Sequence, residues 1–539
     1  MNTRGKMKLN INPYHLLIIA VVLLFFLVLL QNSWLVDDAY ITFRTVDNFV
    51  KGYGLTWNTG ERVQVYTHPL WMFVISFFYL FTSEIFFTVI ILSAFLTIAA
   101  SVIAGIMVTS NFKESPWKFP LLILAFMCSK AVIDYASSGL ENPLSYLFMA
   151  IFLFKFISIR FDTQKTDLKA VGLLFLLASL AFLNRADTLI IYIPALIYLL
   201  YISKPKKQLV PMVLLAISPA ILWLLFSLIY YGYIFPNTAY AKVFTPDFPF
   251  SWKVLRGLEY LKNSVKWDRA TYIILAMTAW FTFRKKSLKN FIMLIGIGLY
   301  IVFVVCSGAA ATHMSGRFFA LPFFTGIILF IYGIPKLRWG GIITYVCVVA
   351  YIALFPISSV KFGTSAYHVY GQKSSCIDTK WYVWQEGASL LNWRPGKKMP
   401  DHDWYHYGEM FRQRPEKVHI GGAFGGDAIG YVGFAAGPEK YLIDIVALGD
   451  PLLSRLPAIK PSSIDNWKSG HFHRDIPSGY CESLLTEKNL IQNPKIHQYY
   501  DKVRIITRDP VFNWNRFRVI LNMNLGKYQF LLNNNIVEK

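Results

Sequence analysis

Long apolar blocks alternating with short polar stretches leave this chain few ways to fold. They run at about 14–30, 85–109, 119–133, 143–159, 170–184, 187–202, 209–231, 270–283, 290–306, 317–334 and 340–357. Each is read as a helix, because a segment inside hydrocarbon must satisfy its own backbone hydrogen bonds. With 539 residues, 55% of them apolar, and a mean hydropathy of +0.42, the chain is too hydrophobic for a soluble protein of its length. The expected fold is a polytopic α-helical membrane protein.

The charge pattern orients that fold. A net charge of +22 raises the question of nucleic acid. The basic residues, however, form no stripe interleaved with base-stacking aromatics, and no nucleic-acid partner is expected. They fall instead in short clusters between apolar blocks: Lys113/Lys118, Arg160/Lys165/Lys169, Lys204/Lys206/Lys207, Arg284/Lys285/Lys286/Lys289 and Lys336/Arg338. The segment Pro69 to Phe81 is apolar but shorter than the roughly 20 residues of a full crossing. If it lies along the outer face, all these clusters join the basic N-terminus (Arg4, Lys6, Lys8) in the cytoplasm; if it crosses, all of them flip outside. The positive-inside rule favours the first threading, with about eleven crossings, the N-terminus inside and the C-terminus outside. No small-residue cleavage site follows the first block, so it reads as an uncleaved helix. The expected location is the bacterial inner membrane.

This threading collects the unusual polar motifs on one side. They are Asp37 to His68, Ser138-Gly139-Leu140-Glu141-Asn142, Asn184-Arg185-Ala186-Asp187, Pro236 to Lys242 and His313-Met314-Ser315-Gly316-Arg317. From about Ser358 the composition turns polar and aromatic with many turn residues, so 1–357 is expected to be the membrane part and 358–539 a periplasmic α/β domain. Val418-His419-Ile420, Tyr441-Leu442-Ile443 and Val503-Arg504-Ile505-Ile506 read as strands. The glycine run Gly421 to Gly426 lacks dinucleotide-fingerprint spacing, and no clear helix is expected after it. Cys376 and Cys481 stand apart from the other cysteines in this exported region and are expected to pair. His471 and His473, without a nearby third ligand, make a weak zinc motif, and Asp427, Asp444 and Asp450 suit either calcium and glycan hydroxyls or turn capping. No metal or cofactor is expected.

Asp37 and Asp38 are the residues most suggestive of chemistry. Adjacent carboxylates at a membrane boundary repel each other, and a low dielectric raises that cost. Nucleotide-activated donors are cytoplasmic, so an outward-facing membrane enzyme would draw on a lipid-linked phosphate sugar. Attack on the anomeric carbon needs a base for the acceptor hydroxyl, a role for Asp37 or Asp38. The departing phosphate needs positive charge, which Arg185 and Arg317, each next to a helix end, would supply.

The stretch Asp37-Asp38-Ala39-Tyr40-Ile41-Thr42-Phe43-Arg44, continuing through Gly52-Tyr53-Gly54-Leu55-Thr56-Trp57 to Tyr66-Thr67-His68-Pro69-Leu70-Trp71, resembles the first outer loop of GT-C glycosyltransferases. Within them it is most similar to terminal β-arabinofuranosyltransferases of cell-wall arabinan. Ser138–Asn142, Asn184–Asp187, Tyr230-Tyr231-Gly232, Pro236–Lys242, Gly316-Arg317-Phe318 and Gly430–Leu453 are similar as well. The resemblance implies a polyprenyl-phosphate-sugar donor, a glycan or glycoprotein acceptor, and a cavity at the outer face in contact with membrane lipid. It assigns catalysis to Asp37 or Asp38; the sequence does not distinguish the two, and Asp37 is taken first by a small margin. It implies substrate contacts from Arg44, His68, Glu141, Arg185, Asp187, Tyr240, Lys242 and Arg317. The second loop carries one carboxylate, Glu141, where an acidic pair would suit a metal, so Glu141 is expected to orient a sugar hydroxyl or an arginine. A hexose or aminopentose donor keeps the same fold. A lipid-linked-sugar transporter is the other reading, opposed by the gathering of polar groups at one face rather than near the midplane.

Overall fold

The computed structural model describes residues 13–109, 115–160, 167–243, 248–308, 314, 316–334, 339–365, 368–369, 378–381, 387–422, 428–464, 467 and 470–532. The chain is mostly helical. The apolar blocks appear as α1 (Pro13–Gln31), α4 (Phe86–Val108), α5 (Lys118–Phe126), α7 (Asn142–Ser158), α8 (Leu168–Asn184), α9 (Leu189–Ile202), α10 (Lys206–Tyr230), α13 (Arg269–Lys285), α14 (Leu288–Cys306), α15 (Ala320–Gly333) and α16 (Trp339–Leu354). Between them lie α2 (Asp37–Val50), α3 (Pro69–Thr82), α6 (Lys130–Tyr135), α11 (Asn237–Lys242) and α12 (Phe250–Trp267). Five helical stretches, Pro13–Gln31, Phe86–Val108, Lys206–Tyr230, Leu288–Cys306 and Gly341–Lys361, are long and apolar enough to cross a membrane. Shorter apolar helices, Pro69–Thr82 among them, accompany these five. The architecture is that of a multi-pass membrane protein. One apolar core runs through α1, α4, α5, α7, α8, α9, α14 and α15.

Three expectations change. The block 119–133 is two helices, because the Ser129 hydroxyl accepts the Val132 N–H at 3.2 Å and so starts α6 afresh. The segment after Asp37 is the amphipathic helix α2, buried on nearly all sides. Phe250–Trp267, which the hydropathy pattern passes over, is an amphipathic helix burying Gly257, Tyr260, Asn263, Ser264 and Trp267. Those spacings are helical although the mean hydropathy is low.

Beyond Ser358 the described elements are α17 (Asp403–Gln413), β1 (Val418–Gly421), α18 (Ile429–Ala436), β2 (Tyr441–Asp444), α19 (Tyr480–Thr486), α20 (Pro494–Arg508) and α21 (Trp514–Asn524). Two expected strands form a parallel pair, Val418 opposite Tyr441 and Gly421 opposite Asp444. The third does not form: Val503–Ile506 lies inside α20, whose buried Ile496, Tyr499, Tyr500, Val503 and Ile506 repeat at helical spacing. The Asn493 side chain caps that helix by accepting the Lys495 and Ile496 N–H groups. Contrary to expectation a helix, α18, does follow the glycine run.

The C-terminal elements pack back onto the start of the chain. Leu390 N–H donates to the Ser33 carbonyl at 2.9 Å, and Asn32 donates to the Ser359 carbonyl at 2.8 Å. Near this contact lies a buried charge cluster. Lys130 reaches Asp134 and, at 2.9 Å, Asp378; Lys380 reaches Asp134 at 2.6 Å and Asn32 at 3.0 Å. All four charged groups are buried. Cys376 lies outside the described residues, and the expected pairing with Cys481, a half-buried residue of α19, lies there with it.

Candidate active site

The placement of the two aspartates follows from helical geometry. Both stand in the first turn of α2, where unpaired N–H groups and the helix dipole favour carboxylates. Successive residues on a helix point about 100° apart, so the pair cannot share one environment. Asp37 turns toward the start of α18 and accepts the Gly430 N–H at 3.2 Å and the Tyr431 N–H at 2.7 Å. The fit is tight: a Cβ on Gly430 would stand 1.9 Å from the Asp37 carbonyl oxygen. Asp38, half-buried, faces an open cavity instead.

That cavity has a volume of about 400 Å³. Asp38 and Thr42 of α2 line it, one turn apart, with His68 at the start of α3, Arg185 and Asp187 beyond α8, Lys242 at the end of α11, and Arg317 with Phe318 before α15. The first and second polar motifs are locked together beside it. Val36 N–H donates to the Ser138 carbonyl at 3.0 Å, and Trp71 donates from Nε1 to the Gly139 carbonyl at 2.9 Å. Gly139 has φ +83°, and a Cβ there would stand 2.7 Å from the Ala39 Cβ. Only glycine meets both demands.

Glu141, 1% exposed, anchors the cationic side of the site. It accepts a hydrogen bond from Arg185 and one from Arg317 at 3.3 Å, and its Oε2 lies 3.4 Å from His68 Nδ1. Burial alone would raise the Glu141 pKa, but Arg317, Arg185 and His68 outweigh it and hold the carboxyl below its ordinary range. Arg185 is further fixed by Asp187, from Nε at 2.7 Å and Nη2 at 2.9 Å, a planar two-point grip. The Phe318 ring lies 4.7 Å from the Arg185 guanidinium carbon. Asn184 supports the floor, donating to the Glu141 carbonyl at 2.9 Å and to Ser145 at 2.8 Å. Burial is the main cause that pushes the His68 imidazole down to about 4, so it is neutral at pH 7. Its Nε2 is hydrogen-bonded to Thr42 at 2.8 Å.

Lys242 differs from both arginines. Among the described residues it has no ion-pair partner. Burial lowers its pKa, and Asp38 opposes that shift. The cavity therefore offers two cations held rigidly by carboxylates and one held by none.

Six of the sequence-derived residues line this cavity: Asp38, His68, Arg185, Asp187, Lys242 and Arg317. Glu141 lies beneath it. Three lie elsewhere. Asp37 is tied to α18 as described. Arg44 is buried and donates to the Trp57 carbonyl at 2.7 Å, the Lys440 carbonyl at 2.6 Å and the Gly433 carbonyl, so its guanidinium fastens α2 to the C-terminal elements. Tyr240 packs on Tyr233, with the Arg455 guanidinium 4.6 Å from its ring. A charged residue in a recognisable motif can serve packing as readily as ligand, and its face of the helix decides which. Thr42 and Thr238 line the cavity as well, and Thr42 is legible in the sequence as the position one helical turn beyond Asp38. Tyr300, which donates to Asp187 at 3.2 Å, carried no signal within its apolar block. Of the last motif, His313 and Ser315 lie outside the described residues.

In the outer region Asp444 and Asp450 take the turn-capping role. Asp444 accepts the N–H groups of Val446, Leu448 and Gly449; Asp450 accepts those of Leu452 and Leu453 and the Tyr480 hydroxyl. Among the described residues no three His, Cys, Asp or Glu side chains are grouped as a metal site.

A second cavity, an apolar groove of about 400 Å³, lies beside the first along the chain. Pro69, Leu70 and Phe73 of α3, Leu183 of α8, and Leu222, Trp223 and Phe226 of α10 line it. Pro69 follows His68, and Leu183 stands two residues before Arg185, so the chain passes from one space to the other at the start of α3 and at the end of α8.

No family model matches the chain. It is similar to two curated arabinofuranosyltransferases. One is the terminal β-(1→2)-arabinofuranosyltransferase of Corynebacterium glutamicum, 28% identical over 229 residues, covering 39% of this chain and 33% of that protein. The protein of the same name from Mycobacterium tuberculosis is 24% identical over 242 residues, covering 43% of this chain and 38% of that one. The chain thus spans little more than a third of the length of the curated relatives it matches. Among solved structures it is similar to the crystal structure of ArnT from Cupriavidus metallidurans bound to undecaprenyl phosphate. That match has a TM-score of 0.44 and 14% identity, over 80% of this chain and 86% of the other.

Proposed function

We propose that the charged cavity is the active site of a membrane glycosyltransferase. It would move a sugar, arabinofuranose by the names of its relatives, from a polyprenyl-phosphate donor to a cell-envelope glycan or glycoprotein at the periplasmic face. The observation that carries this reading is the pairing of spaces. A charged cavity with two carboxylates and three cations adjoins, at the start of α3 and the end of α8, a groove lined by apolar side chains. A sugar phosphate on a long hydrocarbon tail has that same division.

In this reading Asp38, rather than Asp37, accepts the proton of the acceptor hydroxyl as its oxygen bonds to the anomeric carbon. The bond between that carbon and the phosphate oxygen breaks, and polyprenyl phosphate leaves with the bonding electrons. Arg185, Arg317 and Lys242 offset the negative charge that develops there. Because Glu141 and Asp187 fix both arginines before substrate arrives, little reorganisation is needed during the reaction. The lipid tail would lie along Leu70, Phe73, Trp223 and Phe226. Residues 358–539 form the periplasmic domain in this scheme, and the basic clusters lie in the cytoplasm.

The full chain in lipid nanodiscs, supplied with decaprenyl-phosphate-arabinose and an arabinan acceptor, tests the reading. Transfer is expected from that donor, and Asp38→Asn is expected to lower it by roughly 10²–10⁴-fold while the protein stays folded. Wild-type transfer by the intact Asp38→Asn protein would overturn the assignment of the base. Preference for a polyprenyl-phosphate hexose or aminopentose would move the same site to a different sugar. Alkaline-phosphatase fusions test the topology: activity after Phe355 and none after Phe112 is expected.

A further inference from the structure

The last α-helix, α21, carries an apolar face that none of the described residues covers. Along α21 the buried residues Arg516, Val519 and Ile520 form one side. Trp514, Arg518, Leu521 and Leu525 fall on another, at spacings of four, three and four that place them in a single stripe. Phe512, Trp514, Leu521, Leu525 and Phe530 are 60–86% exposed. Exposed aromatic and aliphatic groups gathered like this mark an interaction surface rather than the ordinary scatter of a soluble face.

The position of α21 says what covers it. The Arg516 guanidinium donates to the carbonyls of Ile229 and Tyr230, both at 2.8 Å, and these are the last residues of α10. Asn524 donates to the Gly232 carbonyl at 2.8 Å, just past that end. A Cβ on Gly232 would stand 3.2 Å from Ile520 of α21 and 2.3 Å from Ile506 of α20, so both helices close on this point. α10 is one of the helices long and apolar enough to cross a membrane, and Leu222, Leu225 and Ile229 are exposed along it. The packing therefore pins α21 to the level where a membrane helix leaves hydrocarbon. Its stripe mixes tryptophan and leucine with Arg518, and the exposed Lys527 follows, a composition suited to the boundary between acyl chains and anionic headgroups.

We propose that α21 is an in-plane membrane anchor. Its Trp514–Leu525 stripe would insert into the lipid surface where α10 ends, fixing the height of the C-terminal elements above the bilayer. This does not depend on the reaction catalysed.

The test uses the full chain in nanodiscs of phosphatidylethanolamine and phosphatidylglycerol. A photoreactive p-benzoylphenylalanine is placed at Leu521, at Leu525 or, as a control, at the exposed Lys488. Because Leu521 and Leu525 are both exposed, the fold does not rely on either. After irradiation, mass spectrometry is expected to find lipid adducts at 521 and 525 at least fivefold above the control. Adduct levels equal to the control would overturn the proposal. Crosslinks from 521 or 525 to a second copy of the chain would also overturn it, assigning the stripe to a protein interface instead.

Discussion

The charged cavity and the buried cluster around Lys130 are built from similar groups, yet they are arranged for different ends. In the buried cluster each ammonium meets two oxygen partners: Lys130 binds Asp134 and Asp378, and Lys380 binds Asp134 and Asn32. It is buried, and it joins the end of α1, α6 and the 378–380 segment. In the cavity, Glu141 and Asp187 hold the two arginines, while Asp38 and Lys242 line open space. Lysines bound to carboxylates in the buried interior give a tether; charges that line a cavity stay within reach of a substrate. Charge content alone does not separate a site from a strut. Access does.

The contrast breaks most sharply at single residues. The largest effect is expected from Asp38→Asn, a loss of transfer of roughly 10²–10⁴-fold without loss of fold, because its carboxylate faces the cavity. Asp37→Asn should behave in reverse. It should weaken the α2–α18 contact and lower the melting temperature, since the charge on the two accepted N–H bonds is lost. If both variants lost only transfer, the division between the aspartates would fail.

Next comes the tether. Lys130→Met leaves Asp134 and Asp378 short of a partner in a dry interior, at an expected cost of about 3–5 kcal/mol. Thermal unfolding of the detergent-solubilised chain reads it. A melting temperature unchanged from wild type would show that the Lys130 pairs do not hold the fold together.

Acid should act on the cavity through His68. Its folded pKa of about 4 lies below the ordinary 6.5, so its contribution to stability is present above pH 6.5. That contribution is lost as pH falls from 6.5 toward 4, at about 1.4 kcal/mol per pH unit. Melting temperatures across this window should fall for wild type and fall less for His68→Gln. Parallel curves would refute a buried neutral imidazole.

The smallest effect belongs to Lys242→Met. Having no ion-pair partner among the described residues, Lys242 should be removable without cost to the fold. The donor KM is expected to rise about tenfold, a loss of roughly 1.4 kcal/mol in binding. An unchanged KM would leave the phosphate to the two arginines alone.

The amino-acid order alone determined the helical membrane class, because uninterrupted apolar runs have few other stable forms in lipid. It also picked out most of the cavity: six of its charged or titratable residues stood in motifs recognisable from their composition and resemblance. Some features needed three dimensions. The break at Ser129 depends on a hydroxyl that also donates to Asp268 at 2.5 Å, 139 residues away in sequence. The helical fate of Val503–Ile506 is set by periodicity over a longer window than four apolar residues reveal. Asp37 and Asp38 are chemically identical neighbours, and nothing local separates them. Packing of α18 against one face of α2 draws Asp37 into backbone hydrogen bonds and leaves Asp38 to the cavity. Arg44 and Tyr240 were drawn into packing in the same way. Sequence fixes which charges are present and on which helix they stand. The direction a charge faces, and whether a partner meets it there, depends on contacts hundreds of residues apart, and only the tertiary structure supplies them.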